Sequence, residues 1–179
     1  KLNQILLPYI DQGRYPGIQW QINVNDEIYA GKLGYKNLET KDKILDDTIY
    51  RIWSMTKPVI AIATMQLVER NQIQLDDPIT KYLPEYSNLK VLKNHEGGIA
   101  DVEELKIEPT VKHLLLHTAG FSYNFLADPV GVEYDRMKIF NSSSSSLEEE
   151  ILMLAKIPLL HQPSTQWRYS VSMDVLARI

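Results

Sequence analysis

Residues 51–78 read RIWSMTKPVIAIATMQLVERNQIQLDDP. From Met55 to Arg70 this run is apolar almost all round, with Val59, Ile60, Ala61, Ile62, Ala63, Met65, Leu67 and Val68. A helix of that kind belongs in the middle of a domain. Pro58 fixes its beginning, because proline is accepted in a first helical turn, where its missing N–H has no partner anyway. Asn71 is the stop. The helix therefore starts close to Ser54, and Lys57, three residues on, shares a face with it at roughly 5–6 Å between Cβ atoms.

That placement suits acyl transfer. A serine hydroxyl is a poor nucleophile until a base takes its proton, and a lysine in a partly buried site near other cations can have its pKa lowered enough to serve. The free N–H groups at a helix start favour the anion formed when a hydroxyl attacks a carbonyl, and the Ser54 N–H is a candidate oxyanion donor. S-x-x-K alone arises often by chance, and serine is a favoured helix cap. The apolar wall behind it tips the reading to catalysis, since an interior lysine is costly unless it faces a cleft.

Outward from this helix the pattern changes. Leu2, Ile5, Leu6, Tyr9 and Ile10 recur at helical spacing, and Gly13 with Pro16-Gly17 closes that element. Ile18, Trp20, Ile22 and Val24 alternate with polar residues, predicting a strand with one buried face. Asn25-Asp26 reads as its turn, and a return strand runs from Glu27 to about Tyr35, where Gly31 and Gly34 permit close approach of another backbone. Downstream, LDDPITKYLPEY is turn-rich and TVKHLLLHTAG reads as a short helix capped by Thr110 and ended by Gly120. NSSSSS at 141–146 is a linker or N-cap region, a helix runs from about Leu147 to Ala155, and YSVSMDVLARI begins another. There is no internal repeat.

The 179 residues, 44% hydrophobic and 23% charged, describe an ordinary globular chain. A net charge of −4 recommends neither nucleic acid nor an anionic membrane as partner, and the chain contains no long apolar run. Without cysteine there is neither disulfide framework nor thiolate chemistry, which leaves periplasm, secretion and cytoplasm all open. His113 and His117 stand four apart, but Leu114 replaces the glutamate that metalloprotease chemistry needs, so no metal or other cofactor is expected. Asp76, Asp77 and Asp174 read as turn and helix-surface carboxylates.

Three stretches in this order, SMTKPVIAIATMQLVERNQIQLDDPITKYLPEY, TVKHLLLHTAGFSY and WRYSVSMDVLARI, resemble successive signatures of the serine β-lactamase and penicillin-binding family, in its class C-like branch with esterases and transesterases. The resemblance covers Gly17 to Ile179. It implies an α+β fold: an antiparallel sheet flanked by helices beside a helical region, with the active site in the groove between. Ser54 would be the nucleophile, Lys57 its hydrogen-bonded partner and proton acceptor, and Tyr169 the second-motif residue that helps deprotonate Ser54 and protonates the leaving group. Val171 stands where lactamases carry a substrate-contacting asparagine, and Tyr123 would line the acyl pocket. Ser164 replaces a usual glycine, which predicts a changed turn. HLLLHTAG would pack beneath the groove, with His117 a hydrogen-bonded core residue.

The function implied is a serine hydrolase acting through an acyl-enzyme on small esters or amides, esterase-like rather than a true lactamase. The alternatives are a β-lactamase or D-Ala-D-Ala carboxypeptidase, and a non-catalytic binding relative. The sequence further predicts that residues 1–179 are the N-terminal part of one domain, with helix and hairpin at 1–36 and the nucleophile helix and helical region at 50–179. The resemblance implies later strands that carry a third motif and the second oxyanion donor, and on that reading these C-terminal strands are absent. Such a chain would expose apolar surface, self-associate and turn over little.

Overall fold

A computed structural model describes residues 1–141 and 144–179, so Ser142 and Ser143 of the polar run lie outside the described residues. The chain divides into two compact units, Lys1–Ile52 and Trp53–Ile179.

In the first unit, helix α1 (Leu2–Asp11) packs on the hairpin of β1 (Gly17–Val24) and β2 (Glu27–Asn37), and β2 continues into a short pairing with β3 (Asp42–Lys43). The hairpin runs in register from Gly17↔Gly34 to Val24↔Glu27. Its turn falls on Asn25 and Asp26 at φ 51° and 66°, the left-handed pair that matches the twist of the flanking strands and that asparagine and aspartate tolerate. At Gly31 an added Cβ would meet the Trp20 ring and the Asn3 side chain at 2.6 Å, and Trp20 Nε1 donates to Asn3 Oδ1 at 2.8 Å. Glycine thus lets the indole lie against the strand and reach α1. The expected buried face is only half realised. Ile18 and Trp20 are half-buried, whereas Ile22 and Val24 are exposed, and among the described residues Ile44 alone in this unit is buried.

The second unit holds the core. Helix α2 (Thr56–Glu69) follows a tight turn at Trp53–Met55, and a small antiparallel pair, β4 (Lys90–Leu92) and β5 (Val102–Glu104), is extended by Leu159 beside Val91. Helices α3 (Val111–Leu115), α4 (Pro129–Arg136), α5 (Leu147–Leu154) and α6 (Ser172–Arg178) complete it. Ile79, Val91, Val111, Leu114, Phe121, Tyr134, Ile151, Leu154, Leu159 and Val175 form one buried cluster. The ends are capped as the sequence predicts. Thr110 and His113 make a reciprocal cap on α3, and Ser146 with Glu149 makes one on α5. Asn71, at φ 56°, follows the end of α2.

Three expectations are corrected. Helix α2 is not buried all round: Ile60, Ala61, Leu67 and Val68 face the cluster, while Val59, Ile62 and Met65 are exposed, because the unit covers only one side of it. Gly120 does not end α3, which stops at Leu115. Its φ of 95° instead lets the chain pass close to His161, whose carbonyl oxygen would lie 2.1 Å from an added Cβ. Finally, the region expected to be helical also holds sheet material, β4 and β5, which are too short for their alternation to show in the sequence.

Candidate active site

Ser54 sits in the turn that enters α2. The helix cap is Met55, with no side-chain hydrogen bond, so the Ser54 hydroxyl is not spent on capping. Its partner is Tyr169: the Tyr169 hydroxyl donates to Ser54 Oγ at 2.8 Å, across 115 residues of sequence. Trp53, immediately before Ser54, has φ 49°, a conformation that costs a bulky residue about 1–3 kcal/mol and persists only where the surroundings enforce it.

Lys57, the second residue of α2 and half-buried, places Nζ 4.9 Å from the centre of the Tyr169 ring and 5.3 Å from that of Tyr123. Burial alone would lower its pKa, but the hydroxyls of Tyr123 and Tyr169 outweigh burial, and the pKa stands above the ordinary lysine value. The expectation of a lowered lysine pKa is thereby reversed. Tyr169 moves the other way. Burial raises it, but the hydrogen bond with Ser54 and the charge of Lys57 prevail, and its pKa falls below the usual tyrosine value. Within this pair the tyrosine is the group poised to lose its proton, and the lysine holds the charge that favours the phenolate.

These residues open on a cavity of about 860 Å³, walled by Trp53, Ile60, Phe125, Phe140, Leu147 and Met173, with Asn124, Asp135 and Asn141 as its polar part. Tyr123 lines it and stacks on Phe125 at 4.7 Å. Val171 does not. It is fully buried at the start of α6, its N–H donating to the Ser122 carbonyl, so it touches no substrate in this cavity. Asp174, read as a surface carboxylate, instead lines the cavity, with a pKa raised by burial and restrained by Lys57. Its position five residues after Tyr169 gave no sign of this, because only the packing of α6 against α2 turns that face inward.

The loop carrying Tyr169 is tied to the segment after α3. Carbonyls of His117, Thr118, Gly120 and Ser122 accept from the N–H groups of Arg168, Ser164, Leu160 and Val171 at 2.8–3.1 Å. Arg168 also pairs with Asp128, the cap of α4, which accepts from Ser122 Oγ at 2.6 Å. Ser164 lies at φ 68°, so the departure from glycine leaves a strained serine in the turn. The two histidines part company. His113 Nδ1 accepts from the Thr110 N–H in the α3 cap, while His117 faces Tyr169. Among the described residues, no group of three or more His, Asp or Glu side chains is arranged to hold a metal ion, and no helix is long and apolar enough to cross a membrane.

This geometry meets known proteins at several points. Esterase EstB of Burkholderia gladioli is 34% identical over 155 residues, which is 85% of this chain and 36% of that protein. The solved structure of EstCE1, described as a hydrolase with promiscuous acyltransferase activity, superposes with a TM-score of 0.80 at 31% identity, covering 99% of this chain and 45% of that one. Simvastatin synthase from Aspergillus terreus gives 0.76 at 25% identity, covering 99% and 47%. The chain thus spans less than half the length of each. The expected α+β class with a β-lactamase-like fold is the fold these structures share with it. The family model described as Beta-lactamase matches residues 2–179, and the chain belongs to that family.

Proposed function

We propose that the protein carrying this chain is a serine esterase working through an acyl-enzyme on Ser54. The observation that carries the reading is the 2.8 Å hydrogen bond between Tyr169 and Ser54, with Lys57 Nζ beside the same tyrosine ring. As the phenolate, Tyr169 takes the Ser54 proton while Oγ attacks the ester carbonyl. The tetrahedral intermediate expels the alcohol, which leaves with the proton held by Tyr169, and the acyl group stays on Ser54. Water then enters, gives its proton to Tyr169, and releases the acid as the proton returns to Ser54. Lys57 remains the ammonium throughout and stabilises each anionic stage.

Preference for esters over β-lactams is part of this proposal. It does not depend on Val171 meeting substrate; it is supported by the ester and acyl-transfer activities in the names of the relatives. Those names also favour a second reading, in which an alcohol replaces water and the acyl group is transferred, and the open cavity leaves room for such an acceptor. The match over residues 2–179 supports the expectation that both units are portions of one domain.

Intact-mass analysis of the full-length protein with a fluorophosphonate should show one adduct, on Ser54. Short-chain nitrophenyl esters should be turned over about 10²-fold or more faster than a cephalosporin. Label on another residue, or comparable rates on the two substrates, would overturn the respective part.

A further inference from the structure

Three contacts of one residue bracket Tyr169. The His117 carbonyl accepts from the N–H of Arg168, the residue before the tyrosine, at 2.8 Å. Its Nδ1 accepts from the N–H of Ser170, the residue after it, at 3.3 Å. Between these two bonds the imidazole lies against the Tyr169 ring with centroids 4.9 Å apart. Ser170 Oγ, 3.4 Å from the same Nδ1, is held in turn by Ser172 Oγ at 2.8 Å, at the first turn of α6. Residues 166–170 have no regular secondary structure of their own, so these bonds do for the tyrosine what a helix or strand would do elsewhere.

We propose that His117, as the neutral imidazole with Nδ1 free to accept, is the positioning residue that aims the Tyr169 hydroxyl at Ser54. The inference rests on the functional reading above for its consequence, though not for its geometry. An acceptor at Nδ1 places the ring proton on Nε2. Protonating Nδ1 would set its N–H against the Ser170 N–H and release that side of the loop. It would also place a second cation beside Lys57 of α2, the charged group facing the ring, with Tyr169 the other titratable neighbour and Trp167 an uncharged one. Burial first, and then Lys57, hold the His117 pKa below the ordinary histidine value, so the neutral form prevails at neutral pH. The backbone agrees: His117 lies at φ 55°, a conformation that histidine and asparagine accept more readily than most residues.

The test compares His117→Asn with His117→Gly in the full-length protein. Both substitutions tolerate the left-handed backbone, and only asparagine offers an acceptor near the Nδ1 position. Fluorophosphonate labelling of Ser54 should stay within a few-fold of wild type in H117N and fall about 10²-fold in H117G, the cost of a misplaced catalytic group. In wild type, the plot of log labelling rate against pH should steepen by a second proton below the lowered His117 pKa; in H117N that added steepness should vanish. Nitrogen NMR of the ring should report Nδ1 as the unprotonated nitrogen at neutral pH. Equal labelling by the two variants, an unchanged acid limb in H117N, or a proton on Nδ1 would overturn the proposal. If wild-type Ser54 never labels, the functional reading fails, while the ring NMR still decides His117.

Discussion

The two units of the chain differ in what holds them. In Lys1–Ile52 the alternating residues Ile22 and Val24 remain 45% and 51% exposed, and the order comes from strand register and one tight turn. In Trp53–Ile179 the side chains of Val111, Leu114, Tyr134, Ile151 and Leu154 are wholly withdrawn from solvent. The difference bears on chemistry, because Ser54, Lys57, Tyr123, His117 and Tyr169 all belong to the second unit. A hydroxyl that must meet another at hydrogen-bond distance needs supporting side chains locked by packing, and close-packed interiors provide that where a half-covered hairpin does not. Backbone strain occurs in both units, at Lys41 (φ 59°) in the first, but only in the second does it lie beside the candidate site. The hairpin spends positive φ on Asn25 and Asp26, which tolerate it, whereas the second unit imposes it on Trp53 and Ser164 beside the site elements.

The largest effect expected from breaking this arrangement is at Ser54, the proposed nucleophile. Ser54→Ala should lower esterase turnover by about 10³-fold or more, and Tyr169→Phe by about 10²–10⁴-fold, with far-ultraviolet circular dichroism unchanged. Retention of most activity by either variant would remove the chemistry from the second unit.

The pH profile sharpens the roles within that unit. The proposed mechanism requires Tyr169 deprotonated, so the rate should rise with pH through a pKa lowered from the usual tyrosine range. It requires Lys57 charged, so the rate should fall again through a pKa raised from the usual lysine range. Lys57→Met removes the charge that lowers Tyr169, so the rising limb should move to higher pH. A rising limb that stayed in place would assign it to another group.

Stability should separate the two units as burial does. Leu154→Ala, at a site with no exposure, should cost about 2–5 kcal/mol in urea unfolding. Ile22→Ala in the hairpin should cost about 0.5 kcal/mol or less. Equal costs would mean that the hairpin face is covered in solution.

The smallest effect concerns the strained turn. Ser164→Gly relieves a left-handed φ of 68° and should stabilise the protein by about 1 kcal/mol, read as a rise in melting temperature without change in turnover.

Much of this was written in local sequence. The start of α2 just before Pro58, its stop at Asn71, the Asn25-Asp26 turn and the caps at Thr110 and Ser146 depend on the φ preferences and short-range hydrogen bonds of a few neighbouring residues, so reading the chain was enough. The order of the three motifs carried the family for the same reason: it is a property of the chain. What the sequence left undecided depends on distance in space. An apolar-all-round helix does not say which side is covered, and α2 is packed on one. Val171 and Asp174 lie three residues apart at the start of α6, yet the first is buried away from the cavity and the second lines it, because the packing of α6 sets the direction of each face. The raising of the Lys57 pKa, where a lowering was expected, belongs to the same class. Ser54 and Lys57 are neighbours along the chain, but Tyr123 and Tyr169 reach them only through the fold, and a pKa follows the charges, hydroxyls and solvent around a group rather than its place in a motif.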